Sequence, residues 1–438
     1  MEQHMNRFLS ALAAAARRLL PQVYLTPALR RMLLASAMLA AAITLAGQPA
    51  AAQSWDTSHW TASWGAAPAG PPADASPHTF ADQTLRLVVQ SSVGGNRVRI
   101  RLSNELGSTP LRIGAARIGL RAQGSDVAPG TDRALTFGGR AGVTIPAGAP
   151  ALSDPVELHL PPLAQVAVSL YLPGAVQAST LHGQARQTSY VSSTGDHTAS
   201  ASLPVQRTIT AWPFLTALEV DGVQGAIVVL GDALTDGARS TSDANRRWTD
   251  VLARRLQAER DAGARPGVIN RGIAGNRLLG DNPANPLAGR SALARFERDV
   301  LATSGARQLV LMVGIEDIAN GSAANPVTLD DMVAGYRQLI ARARAARIAV
   351  TGATLAPFEG AASHSIQYSV EKETLRQTVN AWIRSSGEFD SVFDADRVLR
   401  DPARPSRLLP TYDSGDHLHP NDRGYQALGE AMPLPNTR

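Results

Sequence analysis

The period of the apolar residues changes once along this chain, near residue 218, and the change constrains what each part can fold into. Before it, Leu85, Leu87 and Val89 alternate with other residues, as do Val98, Ile100 and Leu102, then Ile113 with Ile118 and Leu120, and Val166, Val168, Leu170 and Leu172. Successive side chains of a strand point to opposite faces, so period two predicts strands with one buried face. Clusters of Gly, Pro, Asn and Ser separate these runs, the pattern of an antiparallel sandwich. Gly94-Gly95-Asn96 predicts a hairpin turn. Beyond the change, strand candidates Ala226–Leu230, Val268–Asn270, Gln308–Val313 and Ile348–Thr354 alternate with helical patterns. Trp248, Val251, Leu252 and Leu256 share one helical face, and so do Leu293, Phe296, Val300 and Leu301. The stretch Leu329 to Ala346 predicts a long helix, and Leu375, Val379, Trp382 and Ile383 another. Strands alternating with helices give a parallel sheet covered on both faces. The expected fold is therefore α/β, a doubly wound parallel sheet over residues 219–438, preceded by an antiparallel, jelly-roll-like β-sandwich over residues 53–218.

A length of 438 residues suits two domains, and 44% hydrophobic with 18% charged residues suits globular cores. The absence of cysteine excludes disulfides and Cys-based metal or redox sites. A net charge of +5, with no basic run interleaved with aromatics, reads as an arginine-rich solvated surface and gives no nucleic-acid partner. Residues 1–52 read as an export signal: Arg30-Arg31 precede the apolar run Met32 to Ala46, and Ala50-Ala51-Ala52 supply small residues for cleavage. That run is shorter than the roughly 20 residues of a membrane span. The expectation is a mature protein from Gln53, periplasmic or extracellular, with no stable membrane span after signal removal. The Arg-Arg pair leaves the general and the twin-arginine export routes open, and the sequence does not fix an oligomeric state. Trp55, Trp60 and Trp64 fit either a sugar-stacking platform or a strand packed beside the second domain.

Chemistry-bearing residues fall into four blocks. Ile227 to Leu230 is a buried strand broken by Gly231, and Asp232-Ala233-Leu234-Thr235-Asp236-Gly237 follows at the strand-to-helix corner where ligands meet such sheets. The second block is Arg271-Gly272-Ile273-Ala274-Gly275-Asn276-Arg277-Leu278-Leu279, and the third Val313-Gly314-Ile315-Glu316-Asp317-Ile318. In the fourth, Asp416-His417-Leu418-His419-Pro420-Asn421-Asp422, two residues separate Asp416 from His419, so the carboxylate can accept a hydrogen bond from the imidazole and fix its tautomer. Asp232 and Asp236 are read as turn-bracing carboxylates that accept backbone N–H bonds. No acid or His cluster has metal-ligand spacing, so no metal or other cofactor is expected.

In order and spacing, these blocks over Ala226 to Met432 resemble the SGNH (GDSL) hydrolases, as do the flanks Asn245-Arg246-Arg247-Trp248 and Phe393-Asp394-Ala395-Asp396. The resemblance implies a flavodoxin-like three-layer fold and an exported carboxylesterase or acylhydrolase of the two-domain type. It implies a serine nucleophile at position 233, His419 (not His417) as base and Asp416 as its orienting acid. The oxyanion would be held by the amides of residues 233 and 275 and by an asparagine at position 316. This chain has Ala233 and Glu316 at the first and last of those positions. A methyl group cannot attack a carbonyl, and an ionised carboxylate has no proton to donate; Glu316 could donate only if burial kept it protonated. Thr235 and Ser240 lie beyond the turn. The sequence thus predicts the scaffold of a hydrolase for small-molecule or polymer-linked esters, with turnover strongly impaired. The alternative is a secreted, non-catalytic carbohydrate- or lipid-binding pseudoenzyme.

Overall fold

The alternation at Val98, Ile100 and Leu102 becomes the strand Gly95–Ser103, with all three side chains fully buried. In this computed structural model, residues 59–73, 78–222, 224–259, 265–282, 285–321, 326–361 and 366–434 are described. Residues 1–52, expected above to be an export signal, and Gln53 and Trp55 lie outside them. Strand Gly95–Ser103 sits in a sheet of five that runs Trp60–Gly65, Leu215–Asp221, Gly95–Ser103 and Pro150–Leu152, with Val156–Leu160 also paired to it. A second sheet of six runs Val205–Ile209, Ser189–Thr194, Thr79–Gln90, Gln165–Gln177, Ala115–Leu120 and Arg133–Leu135. The pairings in both sheets are antiparallel. Leu85, Leu87, Val168 and Leu170 of one sheet share an apolar cluster with Val98, Ile100 and Leu218 of the other, as in two sheets packed face to face.

Gly94-Gly95-Asn96 is not a hairpin turn, because Thr79–Gln90 and Gly95–Ser103 belong to different sheets. The glycines serve close approach instead: a Cβ on Gly94 would stand 2.4 Å from the carbonyl oxygen of Leu160. The strand Leu215–Asp221 runs across the junction expected at 218/219. Its residues Leu215 to Val220 are all buried, and no polar linker interrupts it there. Trp60 lies under the guanidinium groups of Arg97 and Arg99, and buried Trp64 meets Trp212 edge-on at 4.9 Å. These two rings are strand packing, not an open platform.

The second part is built on β1 (Ala226–Gly231), β2 (Gly267–Gly272), β3 (Ala306–Met312), β4 (Ala349–Ala353) and β5 (Ser391–Phe393). Their order is β2-β1-β3-β4-β5 and every neighbouring pair is parallel. Every residue of β1 is buried, as a central parallel strand covered on both faces requires. Val228 and Leu230 join a cluster with Phe296, Leu339 and Val379, whereas Ile227 and Val229 join one with Trp248, Leu252 and Tyr425. The two sets alternate along β1, so helices cover both faces and the domain has three layers. The strand order reverses between β1 and its neighbours, which places a ligand crevice at their carboxyl ends.

The helices are α1 (Ala233–Asp236), α2 (Trp248–Ala258), α3 (Ala292–Phe296), α4 (Ile315–Ala319), α5 (Leu329–Ala345), α6 (Val370–Ser385), α7 (Ala395–Leu399) and α8 (Asp422–Ala431). The face expected to include Leu293 through Leu301 is interrupted: α3 passes into a wider π turn over Glu297–Leu301, and Leu301 ends up exposed. Among the described residues, no helix is long and apolar enough to cross a membrane.

Candidate active site

Three neighbouring strand ends supply most of the site. After β1, Asp232 caps α1 by accepting the amide of Leu234 at 3.1 Å, and Ala233 opens that helix almost fully buried. After β2, the amide of Ile273 donates to the Gly231 carbonyl at 3.1 Å, and Ala274 donates to Asp236 Oδ2 at 2.9 Å. These bonds lock the second loop against α1. Gly275 follows with φ of +81°, the left-handed region that favours glycine. Among the described residues, neither the Ala233 nor the Gly275 amide has a protein acceptor. Gly272 allows the close fit: a Cβ there would stand 2.2 Å from the Asp236 backbone nitrogen. Because backbone would have to move, Gly272→Ala should cost about 1–3 kcal/mol of stability, read as a lowered urea midpoint.

After β3, Gly314 leads into α4, which carries Glu316 and Asp317. Asp317 accepts the amides of Leu278 and Leu279 at 2.7 and 3.0 Å and so braces the second loop. Glu316 is buried, and its Oε2 accepts from Asn320 Nδ2 at 2.5 Å. Burial pushes its carboxyl up, against the opposing pull of His419 and Asn320. Burial, reinforced by the charge of Glu316, raises Asp232 to about 8. Between its ordinary 3.8 and about 8 the folded state holds a proton that the unfolded state has released, so this group's contribution to stability falls as pH rises through that window. Glu316→Asn removes the neighbouring charge. Asp232 should then titrate at lower pH, and the loss of stability across the window should shrink, as checked by carboxyl carbon NMR and by urea midpoints at several pH values.

The fourth block lies in the loop before α8. Asp416 Oδ2 sits 2.8 Å from His419 Nδ1, while Asp416 Oδ1 accepts the amides of His419 and Leu418 at 2.8 and 3.1 Å. Arg239 Nε also donates to Oδ2, at 2.9 Å. Burial alone would raise the Asp416 carboxyl, but the His419 hydrogen bond, the amides and the imidazole charge hold it well below the usual range. His419 Nε2 has no protein partner among the described residues. His417 instead faces Asp413, with Nδ1 at 2.5 Å from Oδ2, and its side chain is mostly exposed.

The structure places Asp232 and Ala233 after β1, Gly275 after β2 and Glu316 after β3, at neighbouring strand ends, and Asp416 and His419 in the loop before α8. Arg239–Asp416 and the bond from Tyr425 Oη to the Ala238 carbonyl, at 2.6 Å, tie the last loop to the segment after α1. Leu418 lines one small cavity with Asp232, Leu234 and Ile315. The charge of His419 acts on Glu316, and that of Glu316 on Asp232. Sequence reasoning missed Asp317, Arg239, Arg295 and His182. Asp317 could have been suspected from its place beside Glu316; the other three bind through tertiary contacts that carry no local pattern.

Among the described residues, no group of three or more His, Cys, Asp or Glu side chains is placed to hold a metal ion. The arrangement offers an oriented imidazole, two backbone amides without protein acceptors among the described residues and a buried carboxyl. Residues 229–427 match the family described as GDSL-like lipase/acylhydrolase. No curated protein matches the chain. Similar solved structures include a GDSL-like lipase from Bacteroides thetaiotaomicron, 20% identical over 48% of this chain and 85% of that one with a TM-score of 0.35. An acetylxylan esterase from Geobacillus stearothermophilus is 20% identical over 48% and 93%, with a TM-score of 0.36. A carbohydrate acetylesterase from Sinorhizobium meliloti is 15% identical over 47% and 95%, with a TM-score of 0.37. The α/β part of this chain, matched over residues 229–427, belongs to the GDSL-like lipase/acylhydrolase family.

Proposed function

We propose that the chain is an exported ester hydrolase scaffold of the carboxylesterase or acylhydrolase class, whose turnover is strongly impaired by the absence of a nucleophile at Ala233 and of an asparagine at Glu316. The observation that carries this reading is the His419–Asp416 pair, with Nδ1 committed to the carboxylate at 2.8 Å and Nε2 without a protein partner among the described residues. With serine at position 233, its hydroxyl would attack the ester carbonyl and pass its proton to His419 Nε2. Asp416 would stabilise the imidazolium, which would return the proton to the leaving alcohol, and water would release the acyl group by the same steps. The amides of residues 233 and 275 would carry the oxyanion. The N-terminal 52 residues are proposed to direct export to the periplasm or beyond.

A second reading, a non-catalytic binder of carbohydrate or lipid esters, is favoured by the double change at Ala233 and Glu316, since two independent positions of one mechanism differ from the family pattern. The test is a rate screen of the serine-restored protein over short p-nitrophenyl esters, long acyl esters and acetylated sugars. Hydrolysis of any class supports the scaffold reading and names the substrate. No hydrolysis, together with calorimetric binding of an acetylated sugar or acyl ester to the unmodified chain, favours the binder.

A further inference from the structure

A line of buried polar contacts joins the β region to the turn bearing Ala233, and the ester chemistry above makes no use of it. His182, in the short strand Leu181–His182, and Asp236, the last residue of α1, are both almost fully buried. His182 Nε2 lies 2.9 Å from Asp236 Oδ1, and His182 Nδ1 lies 3.0 Å from the Ala67 carbonyl oxygen. The other oxygen of Asp236 accepts the Ala274 amide, one residue before Gly275. A carbonyl can only accept, so Nδ1 carries a proton; Nε2 faces Asp236 Oδ1 and donates to it when that carboxyl is ionised. With Asp236 ionised the ring is an imidazolium.

We infer that His182 is a positioning residue of the ester site: through Asp236 it holds α1 and the Ala274–Gly275 backbone in one frame, making the β region a working part of that site. This rests on the ester reading given above. Asp236 is the hinge of the arrangement, because it belongs to the same short helix as Ala233 and grips the loop of Gly275. The other charged groups around the ring are Arg247, whose Nε donates to the Asp236 carbonyl at 3.1 Å, and Asp250, paired with Arg247 at 3.2 Å across the same cavity of about 40 Å³. Burial works against charging His182, but the charge and hydrogen bond of Asp236 and the Ala67 carbonyl outweigh it, and its pKa stands above the ordinary 6.5. The contribution of the pair is therefore complete below about 6.5 and is lost as pH rises through the folded value. Losing that proton removes the charge of the pair and leaves one N–H to serve two acceptors, the Ala67 carbonyl and Asp236 Oδ1.

The test uses the unmodified chain and His182→Gln, whose amide can serve one of the two acceptors but cannot be charged. Hydrogen exchange at Ala274, whose amide donates to Asp236, should be about tenfold faster in His182→Gln, with exchange in β3 unchanged. Nitrogen NMR of the unmodified chain at pH 6 should show both ring nitrogens of His182 protonated, a readout that holds even if the variant fails to fold. A singly protonated ring at that pH, or unaltered exchange at Ala274 in a folded variant, overturns the inference. In the Ala233→Ser, Glu316→Asn background, His182→Gln should lower kcat about tenfold with KM little changed, and more steeply as pH falls toward 6. A change confined to KM overturns it. Fast exchange in His182→Gln alongside a serine-restored protein that hydrolyses nothing overturns the ester reading instead, and leaves the positioning of the loop standing.

Discussion

Ala233→Ser will convert a chain with background ester turnover into a measurable esterase, and adding Glu316→Asn will raise its rate by a further factor of about a hundred. The first change adds a hydroxyl at the start of α1, in a chain that keeps two amides without protein acceptors among the described residues and an imidazole whose Nδ1 is already fixed by Asp416 at 2.8 Å. No neighbouring hydroxyl can take its place. Thr235 is fully buried against Gly231, where a Cβ would stand 2.1 Å from its Oγ1, and Ser240 Oγ donates to the Gly237 carbonyl at 2.7 Å. Without an attacking oxygen, only binding and the oxyanion donors remain to accelerate hydrolysis. The second change replaces a buried carboxyl with a neutral donor. Glu316 is raised by burial, but when ionised it repels the oxyanion, and its charge adds to the burial that raises Asp232 to about 8. Initial rates on p-nitrophenyl acetate and butyrate, compared across the unmodified chain and the single and double variants, check both steps. Equal rates in the unmodified chain and in Ala233→Ser would mean that another group attacks the ester, and the assignment of position 233 would be withdrawn.

What the sequence revealed and what it concealed follow from the range of the interactions involved. The run Ile227 to Leu230 announced a strand buried on both faces, and Gly231 its end, because local periodicity and chain reversal are written in neighbouring residues. The pairing of Asp416 with His419 was legible for the same reason, being closed within a few residues of one turn. Gly94-Gly95 misled because a glycine serves a turn and a close approach equally well, and only the sheet pairing shows that Leu160 occupies the space. The frame around the site was invisible: Asp236 meets His182 across 54 residues, and Asp317 meets the Leu278 amide across 39. Such contacts leave no spacing to read. They are where the position of the catalytic-type residues is set, which is why residue types were foreseen more readily than the groups that hold them.

Arg295→Met should lower stability by about 3–5 kcal/mol, the usual cost of removing one partner from a buried charge pair, while leaving the fold recognisable. Arg295 is fully buried on α3 and gathers both halves of the candidate oxyanion site around one guanidinium. It donates to the Gly231 carbonyl at 2.9 Å, to the Arg271 carbonyl at 2.7 Å, to Asn276 Oδ1 at 3.0 and 3.1 Å, and to Asp299 at 2.9 Å. Methionine fills much of the volume but satisfies none of these acceptors, and each unpaired buried acceptor is costly. The loss is kept from being larger by what remains. Arg298 still donates twice to Asp299, at 2.7 and 2.9 Å, and Ile273 still donates to Gly231. A urea titration should show a midpoint well below that of the unmodified chain with an unchanged slope, the sign of lost stability without a change in the surface exposed on unfolding. Arg337→Met is the control: its partner Glu388 lies at 2.6 Å on the open surface, where solvent screens the pair, so its midpoint should barely move. Because Gly231 ends the strand that leads into Ala233 and Asn276 follows Gly275, the same substitution in the serine-restored protein should also depress kcat even at pH and temperature where the variant is fully folded. Equal midpoints for the two methionine variants would show that the guanidinium is a passenger in this core, and would remove Arg295 from any account of how the site is held.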